Sequence, residues 1–259
     1  MRNLRRDRSR VRRLTFLSVL AYIIMVTVNF LANYLPIRVT TGEISEKYSN
    51  LFTPAGYTFS IWIFIYFMLA LFLILIINGV ITDRGKAARV VKRTGTLFIL
   101  SCVFNSFWIF AWHYDFILLS FVLILTLLMV IRSIYLRLKK SIMRPGFYLF
   151  PFRIYFGWIS VAALANLRVL SVAREWKGVD SYTWFFLLLT AAAAAGIYII
   201  VKHNDSVYGL VIVWALLGIF VARWQEVGGM NLSAAGSLAA VFILLIVILI
   251  NFRRDRSYI

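Results

Sequence analysis

The chain has 259 residues, of which 62% are hydrophobic and 15% charged, so it is far too apolar for a soluble domain of that length. Its net charge of +18 would suit a nucleic-acid binder, but the cations fall in short runs between long apolar stretches, which argues against nucleic acid as a partner. Cys102 is the single cysteine, so no intrachain disulfide can form and it fills space in a helix.

Eight stretches are long and apolar enough to cross a bilayer, which takes roughly 20 residues at 1.5 Å each: 14–35, 56–78, 95–113, 115–136, 147–169, 181–201, 207–225 and 232–252. Residues 1–13 are a basic N-terminus with the flank of a signal peptide and, at Arg12, Arg13 and Phe16, a faint twin-arginine cast. The apolar run continues to about Leu35 without a small-residue cleavage site, so a retained first helix is expected. The connection 36–55 is the longest, rich in turn formers, and is expected to be a loop that covers a site. The connection 170–180 carries Arg174, Glu175, Trp176, Lys177 and Asp180 and reads as solvated surface. In the last three helices, Ala191 to Ala195 with Gly196, and Ala234 to Ala240 around Gly236, form small-residue faces suited to close helix packing, within the bundle or in a homodimer.

Placing the N-terminus in the cytoplasm puts 22 Lys and Arg inside and leaves 6 outside. That asymmetry predicts both termini in the cytoplasm, residues 253–259 forming the second tail, with the basic excess drawn to anionic lipid. Fixing the topology fixes depth. Asn29 and Asn33 share a face near the outer end of helix one, Trp62 lies two turns into helix two, and Asn105, Trp108 and Trp112 form a stripe near the outer end of helix three. Asn166 is near the outer end of helix five, above Ala162 and Ser160, and Trp158 lies near the middle. Amides at membrane depth are costly unless satisfied, so these residues are expected around an aromatic pocket in the outer half, satisfied by one another or by ligand and water.

The order of these signals resembles the TspO family, the tryptophan-rich sensory proteins. Helix two reads PAGYTFSIWIFIY, with Trp62 followed by Tyr66; helix three reads FNSFWIFAW; helix five reads PFRIYFGWISVAALAN. The resemblance covers residues 14–172 and implies an all-α, polytopic transmembrane bundle with a five-helix TspO-like core, the helices of 173–252 being additional. It implies a receptor, sensor or transporter for a planar hydrophobic small molecule, a porphyrin or other tetrapyrrole or a sterol, held in a pocket under 36–55. The implied ligand-binding residues are Asn29, Asn33, Tyr57, Trp62, Tyr66, Asn105, Trp108, Trp112, Trp158, Ala162 and Asn166, in a bacterial cytoplasmic membrane.

Catalysis has little support in the sequence. No GxxxxGK[ST], GxSxG or HExxH occurs, His113 and His203 fall at opposite membrane faces, and neither metal ligands nor a required cofactor can be pointed to. A retinal Schiff base needs a lysine inside the bundle, and every lysine lies in or beside a loop. The rival readings are a permease subunit with a separate ATPase, in which Arg153 would face a translocation path instead of snorkelling to headgroups, and a membrane assembly protein using the small-residue faces.

Overall fold

A backbone that crosses lipid must satisfy its own amides, and a helix does so within one segment. The computed structural model describes residues 2–34, 41–142 and 146–256. Among these the helices are α1 (Arg2–Tyr34), α2 (Thr41–Lys47), α3 (Ile61–Ile81), α4 (Gly85–His113), α5 (Ile117–Ser141), α6 (Phe150–Ala173), α7 (Ser181–His203), α8 (Ser206–Val227) and α9 (Leu232–Arg256), with 3₁₀ turns at Gly56–Ser60 and Gly146–Tyr148. All but α2 are long and apolar enough to span a membrane, eight spans in all among the described residues.

Helix bounds depart from the apolar runs where charged residues are themselves good helix formers. α1 begins at Arg2 and not at 14, and α4 at Gly85 and not at 95. Arginine and lysine have nearly the helix propensity of leucine, and two ion pairs hold the extensions, Arg8 to Asp83 at 2.7 Å and Lys92 to Asp7. Within 36–55 the structure adds the short helix α2, in which Ile44 and Ser45 are buried.

Packing divides the chain into two compact units, Met1–Arg38 with Trp62–Phe156, and Val39–Ile61 with Gly157–Ile259. The division falls inside α6. In the first unit α4 packs against both α1 and α5. Phe72 of α3 meets Phe152 edge to face, with ring centres 5.0 Å apart, and Phe98 at 5.6 Å. Such aromatic pairs contribute about 0.5–1.5 kcal/mol each beyond area burial.

In the second unit α7, α8 and α9 pack mutually. Small residues serve this contact: a Cβ added at Gly196 of α7 would lie 2.7 Å from Leu244 of α9, and Ala192 and Ala234 are buried. Local signals set the connections. Asp180 caps α7 by accepting from the Tyr182 and Thr183 amides at 2.9 and 3.0 Å and from the Thr183 hydroxyl. The hydroxyl bond chiefly, with the backbone bonds, holds the Asp180 carboxyl below the usual carboxylate range. Only Asn204 and Asp205 join α7 to α8, Asn204 in the left-handed region with φ 49° and Asp205 accepting from the Tyr208 amide.

Candidate functional site

The first unit buries two amides against each other. Asn29 of α1 donates through Nδ2 to Asn105 Oδ1 at 2.7 Å and to its own helix at Met25 O at 2.9 Å. The Tyr66 hydroxyl of α3 donates to Asn29 Oδ1 at 2.8 Å, and Asn105 Nδ2 donates to the Tyr155 hydroxyl of α6 at 2.9 Å. Asn105 is 0% exposed. Four helices are thus tied by a chain of neutral hydrogen bonds at one level. Tyr22 adds a further tie from α1, its hydroxyl donating to the Tyr66 carbonyl at 2.8 Å.

Beside this network runs a stack of rings. Trp62 lies between Tyr66, at 5.7 Å with planes 27° apart, and Trp108, at 5.4 Å and 29°. Trp108 in turn stacks on Trp112 at 6.0 Å and 25°. The i, i+4 spacing of 62 with 66 and of 108 with 112 makes the stack, since both pairs fall on single helix faces. Tyr155 closes it from the side, edge-on to Trp62 at 6.0 Å. Tyr66 and Tyr155 each touch Trp62 with the ring and an asparagine with the hydroxyl, so the hydrogen bonds fix where the indoles stand.

The structure therefore brings together Asn29, Trp62, Tyr66, Asn105, Trp108 and Trp112 from the sequence-derived set. Tyr57, Trp158, Ala162 and Asn166 belong to the second unit. There Trp158 meets Phe59 edge-on at 6.1 Å, and Tyr57, 48% exposed, meets Trp214 at 5.7 Å. Asn166 is buried and donates to Ala162 O of its own helix at 3.0 Å. The side chain of Asn33 lies outside the described residues.

Sequence reasoning missed Tyr155, Tyr22 and Trp214. Tyr155 falls at mid-depth, where attention to amides and indoles passes over a phenol, although a phenol at that depth also needs a partner. Trp214 Nε1 donates to the Thr58 carbonyl at 3.1 Å, a contact between residues 156 apart that no local pattern announces. Among the described residues no group of three or more His, Cys, Asp or Glu is placed to hold a metal ion.

Eight helices long and apolar enough to span a membrane, among the described residues, define an integral membrane protein of the all-α polytopic class. The TSPO-like protein family model matches residues 15–250, and the chain belongs to that family. The match takes in α7, α8 and most of α9 as well as the first five spanning helices. Neither a curated protein nor a solved structure matches the chain. Membership in this family makes the protein of membrane sensor or receptor type.

Proposed function

We propose that the protein is a receptor for a planar hydrophobic ligand, a tetrapyrrole or a sterol, which packs against the edge of the stack that Trp62, Trp108 and Trp112 form. The observation that carries this is the alignment of three indoles from α3 and α4 within 30° of parallel, held by the Asn29 and Asn105 network. Because the amides bond to each other and to tyrosines, their role in this reading is to hold the indole wall; the flat apolar rings supply the affinity. Aromatic contact, edge-on or offset, is worth about 0.5–1.5 kcal/mol per ring pair, so Trp62→Ala with Trp108→Ala should weaken binding about tenfold or more. The measurement is quenching of tryptophan fluorescence on titration with protoporphyrin, with cholesterol and phosphatidylcholine as comparisons. Undiminished quenching in the double variant, or none in the parent protein, rejects the receptor reading.

The reading includes an orientation, both termini in the cytoplasm of a bacterial cell, which rests on the 22 to 6 division of Lys and Arg. A cysteine placed at exposed Gly178 should react with a membrane-impermeant maleimide in intact cells, and one at exposed Ser9 only after lysis. The reverse pattern rejects the orientation. Ser45 is unsuitable for this test, being buried.

A further inference from the structure

We propose that the N-terminal ends of α1 and α4 form a binding site for the phosphodiester of an anionic phospholipid, in the leaflet that α1 enters first. A cavity of about 280 Å³ lies there between α1, the end of α3 and the start of α4. Asp7, Arg8, Arg12, Asp83, Arg84 and Lys92 line it. Both carboxylates are already closed, Asp83 by Arg8 at 2.7 Å and Asp7 by Lys92. Arg12 and Arg84 have no carboxylate partner among the described residues, so the cavity carries two guanidiniums beyond its own ion pairs.

The backbone adds to this charge. Arg84 is the N-cap of α4, no side chain caps that helix, and no acidic residue stands in its first turn. The first amides of α4 are therefore uncapped beside the two arginines, and the neighbouring Asp83 carboxylate is taken up by Arg8, an arrangement that favours a phosphate oxygen.

What makes the occupant a lipid is the surface that continues from the cavity. Arg8, Arg12, Phe16 and Leu20 are each four apart, so each neighbours the next in one slowly spiralling row along α1. Arg8, Arg12 and Phe16 line a second, adjoining hollow. Phe16 is 67% exposed and Leu20 45%, so an apolar track leads from the guanidiniums towards the middle of the membrane. A phosphate between Arg12 and Arg84 places its acyl chains along that track. A headgroup with net negative charge fits better than a zwitterion, whose ammonium would face the arginines.

The test is native mass spectrometry of the full chain in neutral detergent with equimolar dioleoylphosphatidylglycerol and dioleoylphosphatidylcholine. The parent protein should retain the anionic lipid preferentially, and less so as salt is raised. Arg12→Gln with Arg84→Gln should reduce that preference about tenfold or more, because it removes both guanidiniums that bond the phosphate as well as their charge. Arg89→Gln with Arg132→Gln removes the same charge from exposed positions that do not line the cavity and should cost distinctly less, since only the general surface attraction is lost. Equal losses in the two pairs, no loss in the first, or a preference indifferent to salt overturns the site. Inorganic phosphate or glycerol 3-phosphate that competes as strongly as the whole lipid overturns its assignment to lipid.

Discussion

Replacing Asn105 by leucine should cost the protein about 2 kcal/mol of stability. The substitution removes the acceptor of Asn29 Nδ2 and the donor to Tyr155, two bonds of 2.7 and 2.9 Å at a site sealed from solvent. In water each orphaned buried group costs about 1–3 kcal/mol. Inside a membrane, measured pairs average only about 0.6 and reach about 1.7 kcal/mol, because the unfolded chain finds other partners in the bilayer. Two bonds at the upper part of that range give the figure. Reversible unfolding in bicelles measures it, and Tyr66→Phe, which deletes the bond to Asn29 at 2.8 Å and a long one to Asn105 at 3.5 Å while leaving both amides paired, should cost about half as much or less. Asn29→Leu with Asn105→Leu should fall short of the sum of the single losses, since each single change already breaks the shared bond. Strict additivity would show that the network is not one unit.

A methyl group at Gly218 should cost more still, about 2–3 kcal/mol, by the overpacking it forces. Its Cβ would stand 2.1 Å from Thr58 Oγ1, 2.7 Å from Cγ2 and 2.9 Å from Cβ, so the whole threonine must move and not merely its tip. Two bonds depend on the close approach, from the Ala55 amide to the Gly218 carbonyl at 3.0 Å and from Trp214 Nε1 to the Thr58 carbonyl at 3.1 Å. Gly218→Ala should therefore release the 3₁₀ turn at Gly56–Ser60 from α8, and a cysteine at buried Ser45 should become reactive. Thr58→Ala alone should be nearly neutral, because Thr58 Oγ1 makes no hydrogen bond among the described residues. Combined with Gly218→Ala it should restore part of the loss. A Gly218→Ala protein as stable as its parent would mean that the turn does not rest on α8 in the membrane.

Length and hydropathy were legible because the bilayer imposes them; each apolar run had to be about one bilayer long, and each became a helix. That Asn29 and Asn105, and Trp62 and Trp108, stand at a common level was legible for the same reason, since residue number along a spanning helix is a distance along its axis. Which helix meets which was not legible. Nothing in the sequence near Asn105 says that its amide should find Tyr155, and lipid supplies no hydrophobic drive whose periodicity would mark the buried face. The helical start of α1 was hidden for a different reason. Arg2 to Arg13 carry no apolar signal, and only the pairing with Asp83 and Lys92, some 75 and 85 residues away, shows what the segment is held by.

The segment Val39–Ile61 is flanked in sequence by α1 and α3 of the first unit yet packs in the second. A chain made from its N-terminus delivers this segment early and its docking surface late, Trp214 following Thr58 by 156 residues. At about 5–20 residues per second of synthesis that is a delay of roughly ten to thirty seconds. During that interval Thr58 has nothing of α8 to rest on, although α1, α3, α4 and α5 can already assemble. The segment between the first two spans therefore cannot close before α8 is made, and a chain stalled earlier leaves it open to proteases.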